Sequence, residues 1–238
     1  MSASHPESVV VVTPCSARKL YQPADAPSFQ DLTNAGPRRA AFARLSHLAL
    51  PAREMYTGQH HRAVLRAVDR LRHTWPLMRV DLVIISAGYG VLSERDMIIP
   101  YDATFAGLGS GVARERAQQL GIRSGLETAL AQHEVGVILL SEAYLSIVDP
   151  PLRRAQSEMY FASPVVSVAG PAVVHVSAGR DEARRLRIAP RMVRAALFER
   201  FVEAATARGW WPAIESAPGL AEALPVSASA RQLAFSAP

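Results

Sequence analysis

The sequence predicts an α/β domain, with a four-stranded, mainly parallel sheet between two layers of helices to make three layers in all. Two observations predict it. Short β-branched or apolar runs recur at residues 8–13, 80–86, 135–140 and 172–176. Segments of helical period stand between and after them, and strands joined through helices run parallel with helices on both faces.

Each element has a local reason. Residues 8–13 hold four consecutive valines and end at Pro14, which reads as a buried strand. Residues 14–36 are rich in Pro, Ser, Asp, Asn and Gly and read as a loop. Residues 37–49 read as helical. Residues 59–73 are a stronger helix, with Val64, Leu65, Val68 and Leu71 on one face. After the strand at 80–86, residues 88–108 are expected to be loop with a short strand at 97–99. One long helix is expected over 112–132. Pro150 and Pro151 break the segment after the third strand, and Pro171 precedes the fourth. A last helix spans 189–208, with Val193, Leu197, Phe201 and Ala204 inward. No repeat or linker divides the chain, so residues 1–211 are expected to form a single domain. Residues 212–238, rich in Ala, Pro and Ser, are expected to be a loosely attached tail.

Composition narrows the function classes. Of the 238 residues, 49% are apolar and 20% charged, which excludes general disorder. Cys15 is the sole cysteine, so no internal disulfide forms. No apolar run has the length of a membrane span, and the polar start of the chain lacks the apolar core of a signal peptide. The expectation is a cytoplasmic protein. Basic residues outnumber acidic ones by 26 to 21, and 25 of the 26 are Arg; Lys19 is the only lysine. Arg-rich usage follows base composition in many genomes, but it also suits phosphate, because the guanidinium donates two hydrogen bonds in one plane.

In parallel sheets, ligands bind beyond the carboxyl ends of the strands. The first such segment, Thr13-Pro14-Cys15-Ser16-Ala17-Arg18-Lys19, is small, polar and cationic. It lacks the spacing of a nucleotide-binding P-loop, and its two bases suit a phosphate or a purine edge. The second runs from Ser86 through Gly88-Tyr89-Gly90 to Tyr101-Asp102 and offers backbone room, aromatic walls and a carboxylate. Thr57 lies just before the strong helix and is a candidate to cap that helix, and Glu54 and Tyr56 are candidates to enter the same cleft. The third segment, Ser141-Glu142-Ala143-Tyr144, reads as a helix start. The fourth, Ser177-Ala178-Gly179-Arg180, opens an Arg-rich stretch that reads either as a solvated helix face or as a phosphate contact. His60-His61 does not have metal-ligand spacing, and no metal or other cofactor is expected.

Three of these stretches resemble the bacterial peroxide-stress, DNA-binding family and its relatives: 13–19, Glu54-Met55-Tyr56-Thr57-Gly58, and 85–92 running on to Ile99-Pro100-Tyr101-Asp102. Pro14-Cys15-Ser16-Ala17-Arg18-Lys19 also resembles a segment of archaeosine synthases. These groups are similar to the uracil-DNA-glycosylase fold, and some relatives are implicated in excising modified bases from phage DNA. The resemblance implies a monofunctional DNA glycosylase acting on a modified base in anti-phage defence; DNA is the expected partner and a monomer the expected state. Uracil itself is not the expected substrate. The first loop lacks the carboxylate of uracil-DNA glycosylases, and Ser177-Ala178-Gly179-Arg180 replaces their His-Pro-Ser segment.

On that reading the target base is flipped out of the duplex into a pocket. Asp102 or Glu54 is the expected catalytic carboxylate, stabilising the sugar cation or activating water. Arg18 or Lys19 stabilises the departing base, and Tyr56, Tyr89 or Tyr101 stacks on it. Cys15, Ser16, Ser86, Ser177 and Arg180 complete the expected binding residues. Two alternatives remain open: a DNA-binding stress protein without catalysis, and a base-modifying transferase acting on tRNA or DNA.

Overall fold

Four consecutive valines, residues 9–12, are completely buried, and their side chains alternate between two separate apolar clusters. Val9 and Val11 enter one, Val10 and Val12 the other. Such a run is stable as a strand only where both faces are covered. The computed structural model describes residues 5–152, 154–163, 172–209 and 211.

The strands are β1 (Ser8–Pro14), β2 (Leu50–Pro51), β3 (Arg79–Ser86), β4 (Gly90–Ser93), β5 (Met97–Ile98), β6 (Val135–Ile138), β7 (Ser157–Ala162) and β8 (Val173–Ser177). The helices are α1 (Phe29–Thr33), α2 (Ala35–Leu45), α3 (Ala52–Met55), α4 (Gln59–Thr74), α5 (Ser110–Gln119), α6 (Ile122–Leu130), α7 (Glu142–Val148), α8 (Arg180–Leu186) and α9 (Val193–Arg208). The central sheet has the order β4-β3-β1-β6-β7-β8, and β2 pairs with β5 in a separate two-stranded ribbon. All neighbours in the central sheet are parallel except β4, which runs antiparallel on β3.

The expected sheet of four strands is therefore corrected to six. The added strands are β4 and β7, and both have a reason for being hard to see. The β3–β4 turn places Gly90 at φ +80°, where a side chain would meet the carbonyl oxygen of Leu120 at 2.6 Å, so the segment carries loop residues. β7 contains Glu158, which is buried because Tyr160 Oη donates to it at 2.7 Å and the Arg154 amide donates at 2.7 Å. The helix expected over 112–132 is two helices. Gly121, at φ +59°, turns the chain in the left-handed region between α5 and α6. Within the segment expected to be loop, Ser28 caps the short α1 in a capping box with Asp31.

α4 and α9 cover one face of the sheet side by side, and α5, α6 and α7 supply the other cluster. Arg66–Glu199 at 2.9 Å and Arg70–Glu203 at 3.5 Å bridge α4 to α9 with one constant offset, so the two helices run parallel. Trp211 packs on Phe201 and Trp75, with ring centroids 5.1 and 6.1 Å apart. The expected tail, 212–238, lies outside the described residues. Among the described residues no helix is long and apolar enough to cross a membrane.

Candidate functional site

β1 and β3 are neighbours, so the loops that leave them meet at the carboxyl end of the sheet. The Cys15 amide still donates to the Ile85 carbonyl at 2.9 Å. The chain then turns back across residues 55–58. The Thr57 amide donates to the Arg18 carbonyl at 3.0 Å, the Leu20 amide to Met55 at 2.8 Å, and the Gly58 amide to Ser16 Oγ at 3.1 Å. Gly58 has no room for a side chain, since a Cβ would lie 2.8 Å from Ser16. The Asp102 amide donates to Pro27 at 2.9 Å, drawing the end of the second stretch into the same place. Three stretches far apart in sequence are thus stitched together by main-chain bonds.

Their side chains form one buried polar network. Tyr101 Oη lies 2.8 Å from Tyr56 Oη and 2.9 Å from Ser86 Oγ. Ser86 Oγ also accepts from the Gly88 and Tyr89 amides at 3.2 and 3.1 Å. Gly88 leaves space for Tyr101, whose ring a Cβ would approach to 2.7 Å. Burial holds both Tyr56 and Tyr101 well above the ordinary phenol range, so both stay protonated and serve as hydrogen-bonding groups.

Lys19 is 9% exposed, and its Nζ lies 4.0 Å from the Tyr101 ring centroid. Among the described residues it makes no hydrogen bond or ion pair. Burial lowers its pKa, opposed by the charges of Cys15 and Asp102. Arg18, next to it in the chain, is exposed. Cys15 is partly exposed, its Sγ 3.3 Å from Tyr144 Oη. Thr13 Oγ1, at the end of β1, is buried with no hydrogen-bond partner among the described residues.

The expected residues divide accordingly. Cys15, Ser16, Lys19, Tyr56, Ser86, Tyr89, Tyr101 and Asp102 come together. Asp102 is exposed, and its charge reaches Lys19 without an ion pair. Tyr56 and Tyr101 are 1% and 3% exposed, so in this conformation neither presents a face to a flipped base. That expected stacking role is corrected: the two rings build the floor of the site. Tyr89 is half-buried, and its hydroxyl donates to the Ile99 carbonyl at 3.3 Å. Glu54 is exposed on the short α3, and among the described residues its carboxylate has no partner in this network.

Ser177 and Arg180 are not brought in. They follow β8, three strand spacings from β1, roughly 14 Å away. Ser177 Oγ donates to Glu182 at 2.9 Å and helps to cap α8, a structural task. The structure adds Tyr144, Thr13 and Gly58; the cap expected from Thr57 is corrected, since Gly58 is the N-cap of α4, no side chain caps it, and Thr57 instead donates its amide to the Arg18 carbonyl. The third strand end did point to Tyr144, but as part of a helix start. Two grooves, of about 590 and 630 Å³, lie elsewhere, along α1 and α5 and beside α5, α6 and α7; neither contains a residue of the network. Among the described residues no group of three or more His, Cys, Asp or Glu could hold a metal ion.

The profile of one family of unknown function, DUF6884, matches residues 42–163, about half the chain. The match runs from α2 to β7. It includes the stretches carrying Tyr56, Ser86 and Tyr101 and leaves out the loop carrying Cys15 and Lys19. No curated protein and no solved structure matches the chain.

Proposed function

For a chain that belongs to DUF6884, a family of unknown function, we propose hydrolysis of the N-glycosidic bond of a modified base in DNA, leaving an abasic site. One observation carries the proposal: the only lysine of the chain is buried at the strand ends, on an aromatic face, with no ion pair among the described residues. A buried ammonium without an ion pair is costly. It gains most when negative charge arrives beside it, and a base leaving a sugar carries such charge.

Water supplies the nucleophile. Its oxygen bonds to C1′ as the C1′–N bond breaks. The bonding pair leaves with the base, which then takes a proton. Positive charge develops on the sugar and negative charge on the base. Asp102, exposed at the rim, suits the first role, by accepting the proton of the attacking water or facing the sugar cation. Lys19 suits the second. Tyr101, Tyr56 and Ser86 fix the ring on which Lys19 rests. The chain's excess of Arg supports an anionic partner such as DNA.

A second reading has its own support. Cys15 is partly exposed, beside Tyr144 and within the field of Lys19, an arrangement that suits covalent addition to a base by a transferase. Alkali separates the readings. Phage-modified DNA treated with the protein and then with alkali breaks at abasic sites if the bond is hydrolysed. DNA that stays intact removes the glycosylase.

A further inference from the structure

A second set of buried, unpartnered groups lies where α4 and α9 begin, beside the Lys19 network. α4 has sixteen residues and begins after Gly58 with no side chain capping its first turn, so amides there lack the usual partner. The offset of the two ion pairs to α9 places the starts of α4 and α9 side by side, so the positive ends of two parallel helices adjoin. Between them are His60, in the first turn of α4, and Arg194, in the first turn of α9. His60 Nε2 and Arg194 Nε are both buried, with no hydrogen-bond partner among the described residues. His61, fully buried, turns Nε2 to the Arg53 carbonyl at 3.0 Å, and its Nδ1 is likewise unpartnered.

We propose that this cluster binds a phosphate group, held by the α4 amides, the Arg194 guanidinium and His60. The chemistry is specific. Two adjoining helix starts and an arginine with no ion pair among the described residues sum to positive charge, which a tetrahedral oxyanion neutralises while accepting several N–H bonds. The exposed Glu142, at the start of α7, brings negative charge to Arg194. His60 feels Arg194 as a like charge and lies against the Arg191 carbonyl, with His61 adjacent. Burial first, and Arg194 second, hold His60 down at about 4, so in the free protein it is neutral near pH 7. A bound anion cancels the Arg194 field and raises that value.

The phosphate comes either from a DNA backbone or from a free phosphate or nucleotide, and the backbone source rests on the glycosylase reading. Gly58 and Ser16 join the start of α4 to the Cys15 loop, which places this cluster beside the proposed base site.

The test uses the full chain with labelled histidines and inorganic phosphate as the probe. The expected result is a saturable shift of the His60 imidazole resonances and an upward move of its titration. Arg194→Gln weakens the response at least tenfold, and Arg95→Gln, on an exposed turn, leaves it unchanged. A wild-type His60 indifferent to phosphate overturns the proposal, whether or not Arg194→Gln folds. A short single-stranded DNA is then added. Displacement of phosphate assigns the site to the backbone, and retention assigns it to a free phosphate or nucleotide. A protein that responds to phosphate but releases no base keeps this site and loses the glycosylase. One that releases base without any response of His60 loses this site alone.

Discussion

Lys19 Nζ lies 4.0 Å from the centroid of the Tyr101 ring, and the Tyr101 hydroxyl is held from two sides by Tyr56 and Ser86. The cation is therefore positioned by a ring that is itself fixed. A desolvated cation–π contact of this kind is worth about 2 kcal/mol. It holds Lys19 in place without an ion pair among the described residues.

If Lys19 stabilises the departing base, charge matters and nucleophilicity does not. Lys19→Arg then keeps part of the base-release rate. Lys19→Ala loses about 10²–10³, the usual cost of one contact to developing charge. Borohydride traps no protein–DNA adduct. An adduct that disappears in Lys19→Arg makes Lys19 a nucleophile instead.

The two candidate carboxylates separate. Asp102 acts on Lys19, whereas Glu54 stands on α3 without a partner in the network. Asp102→Asn is expected to lower turnover by about 10²–10³ with DNA affinity nearly intact. Glu54→Gln is expected to retain most of the rate. Single-turnover kinetics beside a binding titration measure both, and full activity in Asp102→Asn removes the assigned carboxylate.

Ser86→Ala tests the floor of the site. It leaves the Gly88 and Tyr89 amides without their acceptor and the Tyr101 hydroxyl with one partner fewer. The expected loss is about 1–3 kcal/mol in urea unfolding, the cost of stranding buried polar groups. An unchanged midpoint means that the network does not hold Tyr101.

His60 makes stability depend on pH. Its value falls from 6.5 to about 4 on folding, so between those limits the unfolded chain binds a proton that the native chain does not. Stability is full above pH 6.5 and is lost as pH falls toward 4, by about 3 kcal/mol from this group. Urea midpoints taken across that window are expected to fall with acid, and to fall less in His60→Gln. Equal slopes in the two proteins contradict the assignment.

The sequence made legible what local chemistry controls. The valine run at 9–12, the apolar face of α4 and the rule of strand ends lead to the cleft, and to Cys15, Lys19, Ser86 and Tyr101 within it. It hid what tertiary contacts decide. β7 is disguised by Glu158, whose burial depends on Tyr160 and Arg154. The division of α5 from α6 rests on the backbone angle of Gly121. Tyr56 reads equally well as a stacking wall or as a floor, because a tyrosine signals its ring and not its exposure. Ser177 occupied a strand end, but nothing local to it revealed that β7 and β8 lie beyond β6. Glu94 carried no signal at all, and it proves to be a buried anchor paired with Arg72 and, at 3.1 Å, with Arg53.

The central claim is that a base leaves DNA by hydrolysis, and mass analysis of the small molecules released from phage-modified DNA tests it most directly. The account predicts a free modified base in solution, in amounts matching the abasic sites left behind, and release about 10²–10³ slower with Asp102→Asn. DNA that binds the protein yet yields no free base, or that keeps a base of altered mass in the strand, contradicts it.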